Sequence, residues 1–425
     1  IELNGFGKKT QDTLKQQLEY YQKSKNRFHY AALEAEALQL IKTLEEALPD
    51  AKLQLVGAMR RRCNIVDQID ILIATDDGQL SLPENLKLQD INQKDQTIKV
   101  KTESESPLNI YICKKEEFGS KEFLHTASPE FMDAFLKSCS GIDFKGLATE
   151  TEVFEKAGLP FIAPELREQD WALDLAKENK LPKLIEENEI KGVIHSHTTY
   201  SDGLNTLEEM AEYSKAQGYE YIGITDHSKA AFYANGLQPE RVLEQMAAID
   251  ALDAKMAPFK IFKGIESDIL NDGSLDYEED ILKQFDFIIA SVHTNLRMDE
   301  AKATARLITA IENPYTAILG HPTGRLLLSR EGYPIDHAKV IDACAANGVA
   351  IELNANPYRL DLDWTWIPYA LEKGVLISVN PDAHSKEGIH DIHFGVLSAR
   401  KGGLTAEMCL NAKGAEEFGK WVNKK

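Results

Sequence analysis

From residue 192 to the C-terminus the chain repeats one unit, in which a short apolar run ends at a histidine or an acid and a stretch of helical length follows. Gly192-Val193-Ile194 leads into His195-Ser196-His197 and on to Ser201-Asp202-Gly203. Tyr221 to Thr225 ends at Asp226-His227, Ile261 to Ile265 at Glu266, Phe287 to Val292 at His293, and Thr316 to Gly320 at His321. Val375 to Asn380 runs into Asp382-Ala383-His384, and with Val349 to Asn354 the runs number seven. Leu207–Gln217, Pro239–Lys255 and Glu300–Glu312 between them carry the apolar spacing of amphipathic helices. Parallel strands joined by helices, with polar residues at their C-terminal ends, predict a β/α barrel whose site lies on one mouth.

Residues two apart on an extended chain point the same way, so His195 with His197, and Asp382 with His384, can aim at one point beyond a strand end. The candidate set is His195, His197, Asp202, His227, Glu266, His293, His321, Asp382 and His384, which takes six of the eleven histidines. Imidazoles and carboxylates gathered at one mouth are metal ligands of mixed type, suited to Mn, Zn or Fe.

His195-Ser196-His197, Thr225-Asp226-His227-Ser228, Gly264-Ile265-Glu266, Ser291-Val292-His293, Gly320-His321-Pro322 and Asn380-Pro381-Asp382-Ala383-His384 together resemble the PHP (polymerase and histidinol phosphatase) domain, over roughly residues 185–425. The resemblance implies a distorted (β/α)7 barrel with three divalent metal ions. It implies one ion held by His195, His197, Glu266 and Asp382, a second by Glu266, His293 and His321, and a third by Asp202, His227 and His384. Three carboxylates and neutral imidazoles against three divalent cations leave an excess of about three positive charges, suited to a phosphate. A bridging water would then be the nucleophile, with no nucleophile from the protein needed. His384 or His227 is a poor general acid while ligating metal, which favours the ligand role for both. Lys229, Arg297 and Arg325 lie a few residues beyond ligands and are candidates for binding the remaining phosphate oxygens.

The chain has 425 residues, enough for several domains, and a formal charge of −20. That acidity opposes a broad electrostatic footprint on DNA, although a local basic patch can coexist with it. With no apolar run near the ~20 residues of a membrane span and no signal peptide, a cytoplasmic protein is expected, in contact with no membrane. Five scattered cysteines read as reduced thiols.

The sequence opens at Ile1 without a methionine, as a trimmed product would. Gly5-Phe6-Gly7-Lys8-Lys9 before a helical Thr10–Gln22 resembles a helix-hairpin-helix turn, whose amides meet a backbone phosphate. A helix over Leu33–Leu48 and a strand over Ala51–Val56 precede Gly57-Ala58-Met59-Arg60-Arg61-Arg62, a strand over Ile65–Ile73 and another over Leu108–Ile112. This order resembles the palm of a family X DNA polymerase, where a serine, an arginine pair and three carboxylates hold the nucleotide and its magnesium ions. Here the serine position is Ala58, two of the carboxylate positions are Gln68 and Asn109, and Asp70 alone remains. Neutral amides bind magnesium poorly, so this half reads as a retired polymerase.

Phe118-Gly119-Ser120, His125-Thr126-Ala127-Ser128 and Val153 to Glu168 resemble the thumb and the lead-in to the PHP domain in bacterial members. Glu168–Glu189 reads as linker and first helix. The predicted domains are therefore a helix-hairpin-helix at 1–27, a degenerate palm at 28–117, a thumb and linker at 118–180, and the barrel at 181–425.

The resemblance implies a Mn-dependent 3′-5′ exonuclease or 3′-end and abasic-site phosphodiesterase, lacking the N-terminal nucleotide-gap domain. Gly5, Gly7, Lys8, Lys9, Arg60 and Arg61 are then candidates for contacting DNA. The alternative is a small-molecule phosphomonoesterase of the histidinol-phosphatase type, since the metal set would be the same and the acidic surface suits a small substrate.

Overall fold

The computed structural model describes residues 11, 15, 18, 22, 24–82, 86 and 88–423. Gly5, Gly7, Lys8 and Lys9, with most of the predicted hairpin, lie outside the described residues. The rest divides into two compact units: the residues up to Leu181 with Leu327–Arg330, and Pro182–Leu326 with Glu331 onward.

In the first unit a helix over Tyr30–Ala47 buries Tyr30, Leu33, Ala37 and Leu44, the helical spacing expected of a one-sided helix. A two-stranded ladder, β1 (Phe28–His29) with β3 (Ile65–Val66), stands apart from a five-stranded sheet. That sheet contains β2 (Lys52–Val56), β4 (Ile69–Thr75), β5 (Gln89–Lys94), β6 (Thr97–Lys101) and β7 (Pro107–Lys114), in the order β2-β4-β7-β6-β5. The single strand expected over Ile65–Ile73 is thus two. Its halves pair with different partners, and Gln68 falls in the break between them.

Helices over Phe118–Thr126, Pro129–Ser138 and Glu150–Ala157 follow. Ser128 caps the second of these, and Thr149 with Glu152 closes a capping box on the third. Their shared core is a group of phenylalanines around Arg167, whose guanidinium lies 4.9 Å from the Phe154 ring and 5.1 Å from Phe161 and is ion-paired with Glu150. Between Glu168 and Glu189 the chain forms a short helix, Trp171–Lys177, then runs extended to a single helical turn.

The second unit is a parallel barrel. Its strands are β8 (Gly192–Val193), β9 (Tyr221–Ile224), β10 (Lys260–Asp268), β11 (Phe287–Ser291), β12 (Thr316–Leu319), β13 (Ala350–Asn354) and β14 (Ile377–Asn380), neighbouring in chain order. A parallel bridge between Ser196 and Ala383 joins the last strand to the first beyond their C-terminal ends. The helices between strands match the predicted ones closely: Leu207–Ala216, Pro239–Met256 and Glu300–Ile311.

At the opposite end the C-terminal helix, Ala415–Val422, inserts Phe418, whose ring stacks 4.9 Å from Tyr221 and meets Phe262 and Phe287 edge-on. Burying that ring contributes on the order of 2 kcal/mol, and it closes the bottom of the barrel. The polar mouth is left as the open end. Among the described residues no helix is long and apolar enough to cross a membrane, and all five cysteines are free thiols.

Candidate metal centre

Glu266, near the C-terminal end of β10, stands at the middle of the mouth. Its Oε1 lies 3.0 Å from His321 Nε2, 3.1 Å from His293 Nε2 and 3.5 Å from His195 Nε2. Its Oε2 lies 2.9 Å from His227 Nδ1 and 3.7 Å from His197 Nε2. Asp382 Oδ1 is 3.0 Å from His197 Nε2 and 3.5 Å from His195 Nε2. Asp202 Oδ1 faces His384 Nε2 at 3.5 Å, His227 Nε2 at 3.7 Å and His197 Nδ1 at 4.0 Å.

All nine candidate residues therefore meet at one mouth, and donor atoms converge in three places. These are His195, His197 and Asp382; His227, Glu266 and His293; and His197, Asp202, His227 and His384. These groups overlap the three sets that the resemblance implied: His197 and His227 each stand between two groups, and His321 meets the set through Glu266. Asp202 and His384 have side chains 35% and 40% exposed, while His195 and Glu266 are buried, so the set opens towards solvent on the Asp202 side.

Backbone and neighbours hold these side chains in place. Asp382 has φ +52°, an uncommon conformation for an L-residue that local packing must impose. Asn354 Nδ2 donates to its other oxygen at 3.0 Å. The loop carrying Asp202 is tied by Asp226, which accepts from Thr198 N at 2.8 Å, Thr198 Oγ1 at 2.7 Å, Ser201 Oγ at 2.5 Å and Gln245 Nε2 at 2.5 Å.

Glu352, buried in the middle of β13, accepts from His195 Nδ1 at 2.7 Å, Asn380 Nδ2 at 2.9 Å, and His321 N and Asn354 Nδ2 at 3.1 Å each. That bond places the proton of neutral His195 on Nδ1 and leaves Nε2 bare towards the centre. Asp268 takes the same part for His293, with Nδ1 at 3.3 Å. Neither acid belongs to the candidate set read from the sequence. Each nonetheless carried a signal: Glu352 is a charge inside the apolar run Val349 to Leu353, and Asp268 repeats Glu266 two residues later on the same side of a strand.

These residues fit divalent cations. Among the described residues the buried atoms His195 Nε2, His197 Nδ1, His227 Nδ1, Glu266 Oε2 and His321 Nδ1 make no well-aligned hydrogen bond, the 2.9 Å approach of His227 Nδ1 to Glu266 Oε2 included, a costly arrangement unless another ligand completes it. The electrostatics agree. Burial and the rings of His227 and His384 drive His197 down to about 3. Burial opposes ionisation of Glu266 and Asp382, but the surrounding histidines outweigh it and hold both well below the usual carboxylate range. Burial likewise lowers His293 and His384, but the acids beside them prevail and raise the rings to about 10 and about 9. Carboxylates in this pocket demand positive charge. Glu352 and Asp268 bring the acids to five, so three divalent cations would leave an excess of about one positive charge rather than three.

The basic candidates are scattered in role. Lys229 lies over the Tyr277 ring at 5.4 Å. Arg297 is exposed. Arg325 donates to the carbonyls of Arg359 and Leu360 and, at 2.5 Å, to Asp363, which engages its donors in a loop. Arg359, unnoticed in the sequence, has a guanidinium without a hydrogen bond or ion pair among the described residues, and its charge acts on the Tyr233 hydroxyl near the cluster. In the first unit Arg60 pairs with Glu150 at 2.7 Å and Glu122 at 2.9 Å, and Arg61 with Glu168 at 2.6 Å, so both arginines brace that unit internally.

At the palm position one acid faces neutral donors. Asp70 Oδ1 accepts from Gln68 Nε2 at 2.8 Å, Asn109 Nδ2 at 3.0 Å and Tyr111 OH at 3.2 Å. Asp70 and Asn109 are paired across β4 and β7. A Cβ on Gly57, which has φ +64°, would lie 2.5 Å from Asp70 Oδ2, so the second oxygen is packed against backbone.

Residues 194–356 match the PHP domain family. A Bacillus subtilis (strain 168) protein described as "DNA polymerase/3'-5' exonuclease PolX" is 34% identical, covering 98% of this chain and 76% of its own. A "Probable phosphatase" of Thermoanaerobacter sp. (strain X514) is 30% identical over 52% of this chain and 91% of its own. Among solved structures, a histidinol phosphate phosphatase from Lactococcus lactis complexed with zinc, L-histidinol and phosphate overlaps 51% of this chain and 94% of its own, at 18% identity and a TM-score of 0.38.

The second unit is thus a PHP domain, a barrel that binds several divalent cations, and the protein is a phosphoester hydrolase. Because the likeness to the Bacillus protein runs through both units, the chain belongs to the bacterial PolX family, polymerases of family X type with a C-terminal PHP domain.

Proposed function

We propose that the barrel hydrolyses phosphodiester bonds at DNA 3′ ends, as a 3′-5′ exonuclease and 3′-end-processing enzyme, and that the first unit has lost nucleotidyl transfer. The observation that carries this reading is the likeness to the Bacillus subtilis PolX along 98% of the chain, rather than along the barrel alone. In this reading His195, His197, Asp202, His227, Glu266, His293, His321, Asp382 and His384 hold three divalent ions, with Mn the expected metal. Those ions supply the positive charge that receives a phosphate and the acidity that makes water a nucleophile near neutral pH.

The protein's own part is to fix that charge and to orient the ester. Glu352 and Asp268 hold the rings of His195 and His293 so that their Nε2 atoms face the centre. Asp202 and His384, on the solvent side, mark the entry for the scissile phosphate. Arg359 is a donor free to meet a non-bridging phosphate oxygen, a role Arg325 is poorly placed to fill while bound to Asp363.

Donor polarity at Asp70 supports the reading that polymerase chemistry has been lost. Three hydrogen-bond donors converge on Asp70 Oδ1 and compete there with a magnesium ion. The substrate reading places the protein in the cytoplasm, with DNA ends or abasic sites as its partners.

A phosphomonoesterase of the histidinol-phosphatase type is the second reading, favoured by the "Probable phosphatase" relative that aligns with the barrel half. The two separate in one assay: Mn-supported hydrolysis of a 3′-recessed labelled duplex beside histidinol phosphate, with His195→Ala as the blank. Stepwise shortening of the duplex, lost by about a thousandfold in the blank, is the expected result. Phosphate release from the monoester alone would overturn the DNA reading.

A further inference from the structure

The loop Ser228–Leu237 leaves the barrel directly after His227 and turns back on it, with Leu237 N donating to His227 O at 2.8 Å. Its backbone is pinned. Ala230 N donates to Asp276 at 2.6 Å, and the Asn235 side chain donates to Tyr200 O at 3.2 Å and Ser201 O at 3.3 Å. Gly236 lies so close that a Cβ there would fall 1.9 Å from Ser228 O. Yet this fixed loop presents Phe232 at 84% exposure and Tyr233 at 59%.

One exposed ring is ordinary on a protein surface. Here two consecutive rings, 6.0 Å apart and nearly perpendicular, are held on a rigid turn beside a charged centre, and the Tyr233 ring is 6.5 Å from that of His227. The pair therefore extends an aromatic surface from the ligand shell outward. A ligand that satisfies both features carries an anionic phosphoester and, a short spacer away, a flat aromatic group. A nucleotide has that construction, with the sugar as the spacer, and stacking on an aromatic ring accepts any base.

We propose that Phe232 is a stacking platform for the base of the 3′-terminal nucleotide, with the perpendicular Tyr233 ring meeting the edge of that base and the nucleotide's 5′-phosphoester at the metal centre. This rests on the phosphodiesterase reading and names the group that the site recognises beyond the phosphate. The platform adds affinity for a terminal nucleotide that carries a base, whatever that base is.

The test uses two esters with the same leaving group, thymidine 5′-(p-nitrophenyl phosphate) and methyl p-nitrophenyl phosphate, cleaved by the full chain with Mn. Wild type is expected to prefer the nucleoside ester in kcat/KM. Phe232→Ala is expected to lose roughly tenfold of that preference, chiefly through KM, and Phe232→Trp to retain it. An unchanged ratio between the two esters in Phe232→Ala would overturn the platform, as would an equal fall on both, which is the mark of a purely structural residue. Failure of wild type to cleave either ester while cleaving histidinol phosphate is a separate outcome, and it would overturn the phosphodiesterase reading and the platform together.

Discussion

The mouth of the barrel and the palm position of the first unit both gather polar side chains around a buried carboxylate, and they do so with opposite polarity. Around Glu266 stand imidazole nitrogens able to accept or to coordinate, several without a hydrogen-bond partner among the described residues. Around Asp70 stand two amide nitrogens and a hydroxyl, each donating. A carboxylate ringed by nitrogen lone pairs must be completed by cations or protons, whereas one ringed by donors is already complete. Burial raises the Asp70 carboxyl, and Asn109, Tyr111 and Gln68 pull against that rise. The two acidic sites in one chain thus differ in what surrounds the carboxylate: unpaired ring nitrogens among the described residues at Glu266, and three donors converging on one oxygen at Asp70.

The strongest way to break this contrast is to remove the support rather than a ligand. Glu352→Gln leaves His195, Asn380, Asn354 and the His321 amide competing for one oxygen in place of two. Metal affinity, read by titration with a chromophoric competitor, is expected to fall by about 10- to 100-fold, with hydrolysis falling alongside. Wild-type affinity in this variant would mean that the acid is merely packed, and that His195 keeps its orientation without it.

A smaller effect is expected at the other site. Asp70→Ala strands the donors of Gln68, Asn109 and Tyr111, so the first unit should melt about 5 °C lower. Phosphoester hydrolysis at a temperature where both proteins are folded is expected to stay at the wild-type rate. Loss of hydrolysis in this variant would overturn the separation between the two sites.

Most of the barrel was legible in the sequence because its periodicity is covalent: a buried strand must be apolar along its length, and its last residue must face the mouth. The positions of His195, His227, Glu266, His293 and His321 follow from that rule alone. The supporting acids were harder to see, since Glu352 in an apolar run has no chemistry until His195 is known to lie 2.7 Å away, a contact across 157 residues. The same holds for Arg325 and Arg359. Both are arginines in mouth loops, and only the fold distinguishes the one engaged by Asp363 from the one left unpaired. At Gln68 the apolar run Ile65 to Ile73 concealed a break, because its two ends join different ladders and a residue-level propensity carries no record of partners.

Imidazole reports what faces it in each region. In the barrel, acids raise His293 to about 10 and His384 to about 9, while burial and neighbouring rings drive His197 down to about 3. In the first unit, burial, with Lys121 adding to it, drives His125 down to about 4, where its ring stacks 3.9 Å from Tyr111, one of the donors to Asp70. A histidine whose folded pKa lies below its unfolded value of about 6.5 binds more protons when unfolded. Its contribution is therefore fully present above about pH 6.5 and lost as the pH falls towards 4. The first unit should lose stability across that window, and His125→Gln should lose less of it, because the glutamine has no proton to take up on unfolding. The difference between the two proteins in the drop of melting temperature from pH 7.5 to pH 5 isolates His125 from the barrel histidines, which both share. Equal drops would mean that His125 takes up its proton as readily in the fold as in the unfolded chain, and would overturn burial against Tyr111 as a barrier to its charge.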